Sequence, residues 1–223
     1  QITFNVITDG SPQWPAPTWT GVGVAPDSGT NWNALRVGYG TTVPITTNNI
    51  VNSLGAVFPG VSVTISNRTK GGSQYTWNNT GGGSPPNPVN LMRTYTFFAT
   101  YDLIVTGLAP GKYDFWYAGH GDQPNQQGTA TIDPKNGGGA FTTANSALGR
   151  DIIAGGLGVA YTNFNGLTVS NDGVFHVTIG NYLNFFQLRP SQDEGPAFLV
   201  TGGAGCGSVT PGLSGSVTTN TYL

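Results

Sequence analysis

The scarcity of charged side chains limits what this chain can fold into more than any other feature. Only 8% of its 223 residues are Asp, Glu, Lys or Arg, and they include a single Glu and three Lys. About 25% is ordinary for a globular protein. Helical proteins need such residues on their solvent-facing sides, so a mainly helical fold is very unfavourable. With 37% hydrophobic residues, 11% aromatic residues and a net charge of -2, the chain also lacks the signature of disorder.

Short stretches of alternating apolar and polar residues recur along the chain and predict half-buried β-strands. Asp172-Gly173 separates two β-rich stretches and favours a tight hairpin turn, because such turns need positive φ. Helical character is confined to residues 32–37 and 145–153. We therefore predict an all-β, jelly-roll-like β-sandwich with at most two short helices. The clearest strand patterns are residues 2–6, 61–65, 113–117 and 174–179.

The composition changes near the C-terminus, which divides the chain into two predicted parts. Residues 1–192 carry the strand patterns and form the predicted sandwich, whereas residues 193–223 are rich in Gly and end in an extended stretch, 216–223. We expect this Gly-rich tail to pack on its own sheet or on that of a neighbouring molecule. The lone Cys206 excludes an intrachain disulfide, and its role is left open.

The segment Leu-Ala-Pro-Gly-Lys-Tyr, from Leu108 to Tyr113, matches the tyrosine corner of β-sandwich proteins, in which the Tyr hydroxyl bonds to upstream backbone. It lies within residues 105–122, which resemble the central hairpin of secreted galactose-binding-like jelly-roll domains of environmental bacteria. The resemblance covers roughly residues 1–190 and implies export and a jelly roll. The chain departs from that pattern after Pro190, where the Gly-rich tail replaces the usual hydrophobic sorting helix. Other similar segments are residues 18–24, 29–35, 171–179 and 184–188.

Several partners are disfavoured by composition. Eight basic residues, spread singly, cannot form a phosphate-neutralising stripe, so no nucleic acid is expected. The sequence has no apolar run long enough for a transmembrane helix.

Because the sequence starts at Gln1 rather than Met, we expect a cleaved signal peptide and a secreted protein. Asn67 and Asn78 begin N-x-T sequons and are candidate glycosylation sites.

No catalytic site, metal site or cofactor is predicted. Glu194 is the only Glu, and adjacent Asp193 points away from it on an extended chain, so a glycosidase carboxylate pair is not indicated. The two histidines favour structural roles, with His120 in a loop and His176 within a strand. A mixed site of both histidines and an Asp remains open in principle.

Two functions fit these observations. The first is a secreted structural protein that assembles with copies of itself into a filament or surface layer, since an almost uncharged surface gives little repulsion and few charged residues guard the sheet edges. Its predicted interface is Ile2, Phe4, Val6, Val217, Tyr222 and Leu223. The alternative is an extracellular carbohydrate-binding module, which would bind polysaccharide through aromatic stacking and polar groups. Its predicted site is Trp14, Trp77, His120 and Asp122.

Overall fold

The predicted fold class is confirmed by the computed structural model, which describes residues 4–9, 21–36, 44–66, 73–76, 91–92 and 94–192. Within these ranges the regular structure is almost entirely β. The strands are β1 (Phe4–Asp9), β2 (Asn33–Arg36), β3 (Ile45–Asn48), β4 (Ser62–Ser66), β5 (Ser73–Thr76), β6 (Thr94–Thr106), β7 (Gly111–Ala118), β8 (Thr129–Ile132), β9 (Ala140–Thr142), β10 (Thr162–Val169), β11 (Phe175–Leu183) and β12 (Phe185–Pro190). Short 3₁₀ helices lie at Pro134–Asn136 and Ala147–Arg150.

The strands form two sheets. A five-stranded sheet has the order β10-β7-β12-β1-β2, and its pairs are antiparallel except for the parallel β1–β2 pair. A seven-stranded sheet has the order β3-β4-β6-β11-β8-β9, with β5 also paired to β6. The long strand β6 pairs with β11 along one side, while β4 and β5 share its other side. Residues Gln1–Ser191 form one compact unit and Gln192–Leu223 a second, of which only Gln192 is described.

The main hydrophobic core lies between the inner faces of the two sheets. Alternate residues of β6 and β11 point into it, as the period-two pattern predicts. The five-stranded sheet contributes alternate residues of β7 and β12. Phe115 packs against three other rings, those of Phe164, Phe175 and Phe186. Core residues on these four strands include Tyr101, Leu103, Val105, Tyr113, Phe115, Tyr117, Phe175, Val177, Ile179, Phe186 and Leu188.

Local sequence signals placed the turns correctly. The Tyr113 hydroxyl donates to the carbonyl oxygen of Ala109 at 2.9 Å, which is the predicted tyrosine corner. Gly173 has φ of 67° and closes the predicted turn between β10 and β11. Its carbonyl also accepts from the backbone N–H of Leu108 at 3.1 Å. Two corners at the same end of the sandwich are therefore joined.

The prediction of a half-buried strand at residues 113–117 is wrong, because β7 is buried on both faces there, as is most of the neighbouring β12. A segment at residues 21–26 covers the outer face of their sheet. The backbone N–H groups of Val24 and Ala25 donate to Gln187 Oε1 at 2.7 and 2.9 Å. The Arg189 guanidinium stacks over the Trp116 ring, 4.9 Å from its centroid. Residues 21–26 therefore form an outer layer over this sheet, and their backbone N–H groups bind the Gln187 side chain that they cover.

The helical expectation for residues 32–37 is also wrong, because Asn33–Arg36 forms strand β2 beside β1. Backbone pairing with β1 and burial of Leu35 in the core outweigh the weak helical pattern. The second stretch, 145–153, does contain the 3₁₀ helix Ala147–Arg150. Within the described residues, no helix is long and apolar enough to cross a membrane.

Candidate functional site

Two neighbouring loops at one end of the sandwich form the candidate site. Residues 119–128 connect β7 to β8, and residues 143–161 connect β9 to β10. We call the solvent-facing part of these two loops the end-loop surface. A second apolar cluster supports it from below, with Trp32 set edge-to-face on Phe185 at a centroid distance of 5.9 Å. The buried members of this cluster are Trp32, Leu91, Met92, Ala118, Ile152, Ala160 and Phe185.

Backbone hydrogen bonds hold the loop 119–128 in one conformation. Gly128 N–H donates to the Gly119 carbonyl at 2.8 Å, and Gly121 N–H donates to the Gln126 carbonyl at 2.9 Å. The Thr143 hydroxyl, from the second loop, donates to the Gly119 carbonyl at 2.7 Å. A Cβ at Gly119 would overlap the carbonyl of Tyr182, so only glycine allows this close approach. The loop is therefore preorganised.

His120 anchors this loop from inside the protein. Its residue is 1% exposed, its backbone N–H donates to Asn184 Oδ1 at 2.6 Å, and its Nδ1 lies 2.9 Å from the Gly121 carbonyl oxygen. Burial lowers the pKa of His120, and the nearby Arg150 charge acts in the same direction. His120 was predicted as a sugar contact. Its burial corrects that role to a supporting one.

Asp122, the other predicted sugar contact of this loop, remains partly exposed. Its Oδ1 accepts from the Tyr95 hydroxyl at 3.3 Å, and its backbone carbonyl accepts from the Arg150 guanidinium. Tyr182 packs edge-on against Tyr95 at 5.3 Å between ring centroids. Burial, and then the Asp122 charge, raise the pKa of Tyr182. The Asp122 carboxylate is thus fixed beside an aromatic pair.

Amide side chains surround Asp122 on the end-loop surface. Gln126 Oε1 accepts from the backbone N–H of Gln123 at 3.1 Å, and Gln127 Nε2 donates to the Thr143 carbonyl at 2.6 Å. Asn125 and Gln123 are exposed, and Tyr161 is partly exposed on the neighbouring loop. The surface therefore offers amide donors and acceptors, a carboxylate and an aromatic ring, which are the groups that polar ligand sites commonly use.

The second histidine lies in a separate cluster on the outer face of the seven-stranded sheet. His176 Nε2 is 2.8 Å from Asp102 Oδ1, and His176 Nδ1 is 2.8 Å from Asp133 Oδ2. Burial opposes the charge on this imidazole, but hydrogen bonds to the two carboxylates and their charges outweigh it, so the pKa of His176 is raised. Because the carboxylates flank the ring on opposite sides, they do not converge on one point. No three His, Cys, Asp or Glu side chains in the described ranges are placed to hold a metal ion.

The interaction of His176 with Asp102 and Asp133 predicts a pH-dependent contribution to stability. A raised folded-state pKa stabilises the protein below the ordinary value of 6.5, and the stabilisation is lost as pH rises through the folded value. The pKa of Asp133 is lowered, chiefly by the Lys135 backbone N–H and then by His176, so this carboxylate keeps its charge through that window. His176→Gln should therefore lower Tm by about 2–4 °C near pH 6, and by less near pH 9.

Differential scanning calorimetry of both proteins across this pH range checks the prediction. Asp172→Asn is the control, since it removes the charge of the exposed Lys135–Asp172 ion pair at 3.5 Å but keeps an Oδ1 that can accept from Val174 N–H. An equal Tm difference at both pH values for His176→Gln would show that the His176 charge does not stabilise the fold.

The remaining predicted residues are distributed as follows. Phe4 and Val6 lie in β1, which is hydrogen-bonded to β12 on one side and to β2 on the other, so its backbone is not an open sheet edge. Other predicted residues lie outside the described ranges, and these are Ile2, Trp14, Asn67, Trp77, Asn78, Asp193, Glu194, Cys206, Val217, Tyr222 and Leu223.

Comparison with known proteins gives a likeness in structure only. No family model matches the chain, and no curated protein matches it in sequence. Among solved structures, it is similar to TmCBM61 in complex with beta-1,4-galactotriose, with 11% identity and a TM-score of 0.33 over 58% of this chain and 88% of that one. It is also similar to the carbohydrate-binding module CBM6cm-2 from Cellvibrio mixtus lichenase 5A in complex with cellotriose. There the identity is 21% and the TM-score 0.30, over 57% of this chain and 92% of that one.

Sequence reasoning missed three residues that surround Asp122, namely Tyr95, Arg150 and Tyr182. Tyr95 and Arg150 reach Asp122 from 27 and 28 residues away along the chain. Tyr182 follows a register shift between Gly180 and Asn181 in β11, where Asn181 has φ of 61°. The Gly-Asn pair in a strand pattern is the one signal that indicated a bulge there.

Proposed function

We propose that this chain is a secreted, non-catalytic carbohydrate-binding module that binds a neutral glycan at the end-loop surface. The observation that carries the proposal is the fixed, partly exposed carboxylate of Asp122. Its Oδ1 is engaged by the Tyr95 hydroxyl, and its Oδ2 makes no hydrogen bond within the described residues. A carboxylate oxygen of this kind is a strong acceptor for sugar hydroxyl groups.

The surroundings of Asp122 support a neutral rather than an acidic ligand. The protein has a net charge of -2, and the carboxylate would repel a uronic acid or sulfate group. The Arg150 guanidinium is partly used, since it donates to the Asp122 backbone carbonyl. The amides of Gln123, Asn125 and Gln126 can donate to and accept from hydroxyl groups.

The rigidity of the loop also supports binding. The hydrogen bonds of Gly119, Gly121 and Thr143 fix the loop without a ligand, so little conformational entropy would be lost on binding. By contrast, β1, which carries Phe4 and Val6 of the predicted assembly interface, is an interior strand and offers no open edge to a second copy. The edge strand β10 carries a bulge between Phe164 and Leu167, a feature that discourages strand addition.

Asp122→Ala is the test of this function. Loss of a hydrogen bond to a charged group costs about 1.5–3 kcal/mol, so we expect affinity to fall roughly tenfold to a hundredfold. Affinity electrophoresis against neutral polysaccharides, including β-1,4-galactan and β-glucans, identifies the ligand. Titration calorimetry with the matching oligosaccharide then gives the affinity of each variant.

The matched control is Asp172→Ala, because Asp172 is an exposed aspartate on the turn after β10, at the other end of the sandwich. It should bind as the unaltered protein does. Full binding by Asp122→Ala would remove the site from the end-loop surface. Absence of binding to every polysaccharide, with light scattering showing polymers of the full chain, would instead favour the assembly hypothesis.

A further inference from the structure

The bulge in edge strand β10 holds an exposed Asn-Gly pair with unusual partners. The sequence contains two Asn-Gly pairs, at Asn136-Gly137 and Asn165-Gly166. Asn165 and Gly166 are both exposed, and they fall at the register shift between β10 and β7. Gly166 has φ of 66°, which favours glycine at this position.

An Asn-Gly pair has an intrinsic reaction that needs no cofactor. The backbone nitrogen of the glycine loses its proton and attacks the side-chain carbonyl carbon of Asn, and ammonia leaves to give a cyclic succinimide. Water then opens the ring to Asp or isoaspartate. Glycine favours the attack because it has no Cβ to hinder the approach. The rate depends on how well the protein activates the nitrogen and stabilises the developing oxyanion.

The carbonyl side of this reaction is already polarised. Asn163 Nδ2 donates to Asn165 Oδ1 at 2.7 Å, and Asn165 Nδ2 donates back to Asn163 Oδ1 at 3.2 Å. When the nitrogen attacks, negative charge develops on Asn165 Oδ1. The Asn163 amide is positioned to stabilise that charge.

The nitrogen side has an acceptor in place. Gly166 N–H donates to Asp114 Oδ1 at 3.1 Å, so a carboxylate faces the proton that must leave. Asp114 is held in position by the Ser191 hydroxyl at 2.6 Å and the Arg189 guanidinium at 3.4 Å. The reacting nitrogen therefore lies against a fixed general base.

We propose that Asn165-Gly166 is a self-modifying site, at which Asn163 and Asp114 promote conversion of Asn165 to a succinimide and then to Asp or isoaspartate. The inference is independent of glycan binding. Its product would place a new carboxylate, or an extended isoaspartyl backbone, beside the Asp114–Arg189 pair. Either product disturbs the bulge that interrupts the regular pairing of β10 with β7.

The second Asn-Gly pair serves as an internal comparison, because its groups are fully used. Asn136 is 1% exposed. Its Nδ2 donates to the carbonyls of Thr168 and Val174, and its Oδ1 accepts from His176 N–H. Gly137 N–H donates to the Pro134 carbonyl at 3.0 Å rather than to a carboxylate. Asn136 should therefore remain unmodified while Asn165 reacts.

The test is a time course of the folded full chain in mildly alkaline buffer, followed by peptide mapping that resolves Asn, Asp and isoaspartate. We expect modification at Asn165, at least as fast as in a free peptide of residues 161–170, and none at Asn136. Asn163→Ala should slow the reaction about fivefold, by loss of one hydrogen bond. Thr162→Ala is the matched control on the same strand and should not change the rate.

Whether Asn163→Ala slows or speeds the modification of Asn165 distinguishes promotion by the Asn163 amide from simple exposure of Asn165. Without its amide partner, Asn165 becomes more mobile, and exposure alone would then make it react at the same rate or faster. Either result, or a native rate below that of the peptide, would overturn the proposal. The melting temperature of each variant confirms that the folded protein is being compared.

Discussion

Asp114→Ala should lower the free energy of unfolding by about 3–5 kcal/mol, because it leaves a buried guanidinium without its counter-charge. The side chains of Asp114 and Arg189 are only 10% and 9% exposed, with 3.4 Å between Oδ2 and Nη2. The carboxylate also accepts from Gly166 N–H and from the Ser191 hydroxyl. Its removal therefore leaves the buried Arg189 guanidinium without its carboxylate partner, while Gly166 N–H and the Ser191 hydroxyl lose an acceptor nearer the surface.

Urea denaturation measures this effect through a lower midpoint at unchanged slope. The control is the double variant Asp114→Ala with Arg189→Met, which removes both charges and keeps an unbranched side chain over Trp116. It should be more stable than Asp114→Ala alone, because the uncompensated charge is gone. If the two substitutions simply add, the large loss does not come from a stranded charge.

The parts of the fold that the sequence predicts are those encoded over a few residues. The corner at Tyr113 needs only a turn and a hydroxyl four residues from its acceptor. The hairpin at Gly173 needs only positive φ. The alternation in β11 continues until Asn181, where a register shift interrupts it. Each of these features depends on backbone geometry that neighbouring residues fix.

The parts of the fold that the sequence did not predict depend on contacts between residues that are far apart along the chain. Residues 32–37 have a weak helical pattern, but pairing with β1 makes Asn33–Arg36 a strand. The buried outer face of β12 exists because Val24 and Ala25 donate to Gln187, from more than 160 residues away. A period-two pattern cannot show that a strand's polar residues are covered by another segment.

The candidate site also combines a residue that the sequence indicates with partners that only the fold brings close to it. Asp122 was predicted together with His120 as part of a possible sugar site in the loop after β7. Its partners Tyr95 and Arg150 come from other segments, and no local pattern joins them. His176 was expected to be a partly buried strand residue, as it is, but its two carboxylate partners are 43 and 74 residues away.

Phe115→Ala is expected to lower the free energy of unfolding by about 3–5 kcal/mol through loss of packing in the main core. Phe115 is fully buried, and its ring lies 5.1 Å from that of Phe175 on the opposite sheet and 5.8 Å from that of Phe186 on the next strand. Alanine there removes one of the ring contacts between the two sheets and leaves a cavity that the surrounding strands cannot close.

Phe141→Ala is the matched control, since Phe141 is only partly buried and packs at the margin of the same core, on edge strand β9. Its loss should be clearly smaller, because solvent and neighbouring side chains can fill the space. Phe115→Leu should recover most of the stability and cost about 1.5 kcal/mol or less, as a substitution that keeps most of the volume does. Equal losses for Phe115→Ala and Phe141→Ala in urea denaturation would mean that the sheets are not held together at Phe115.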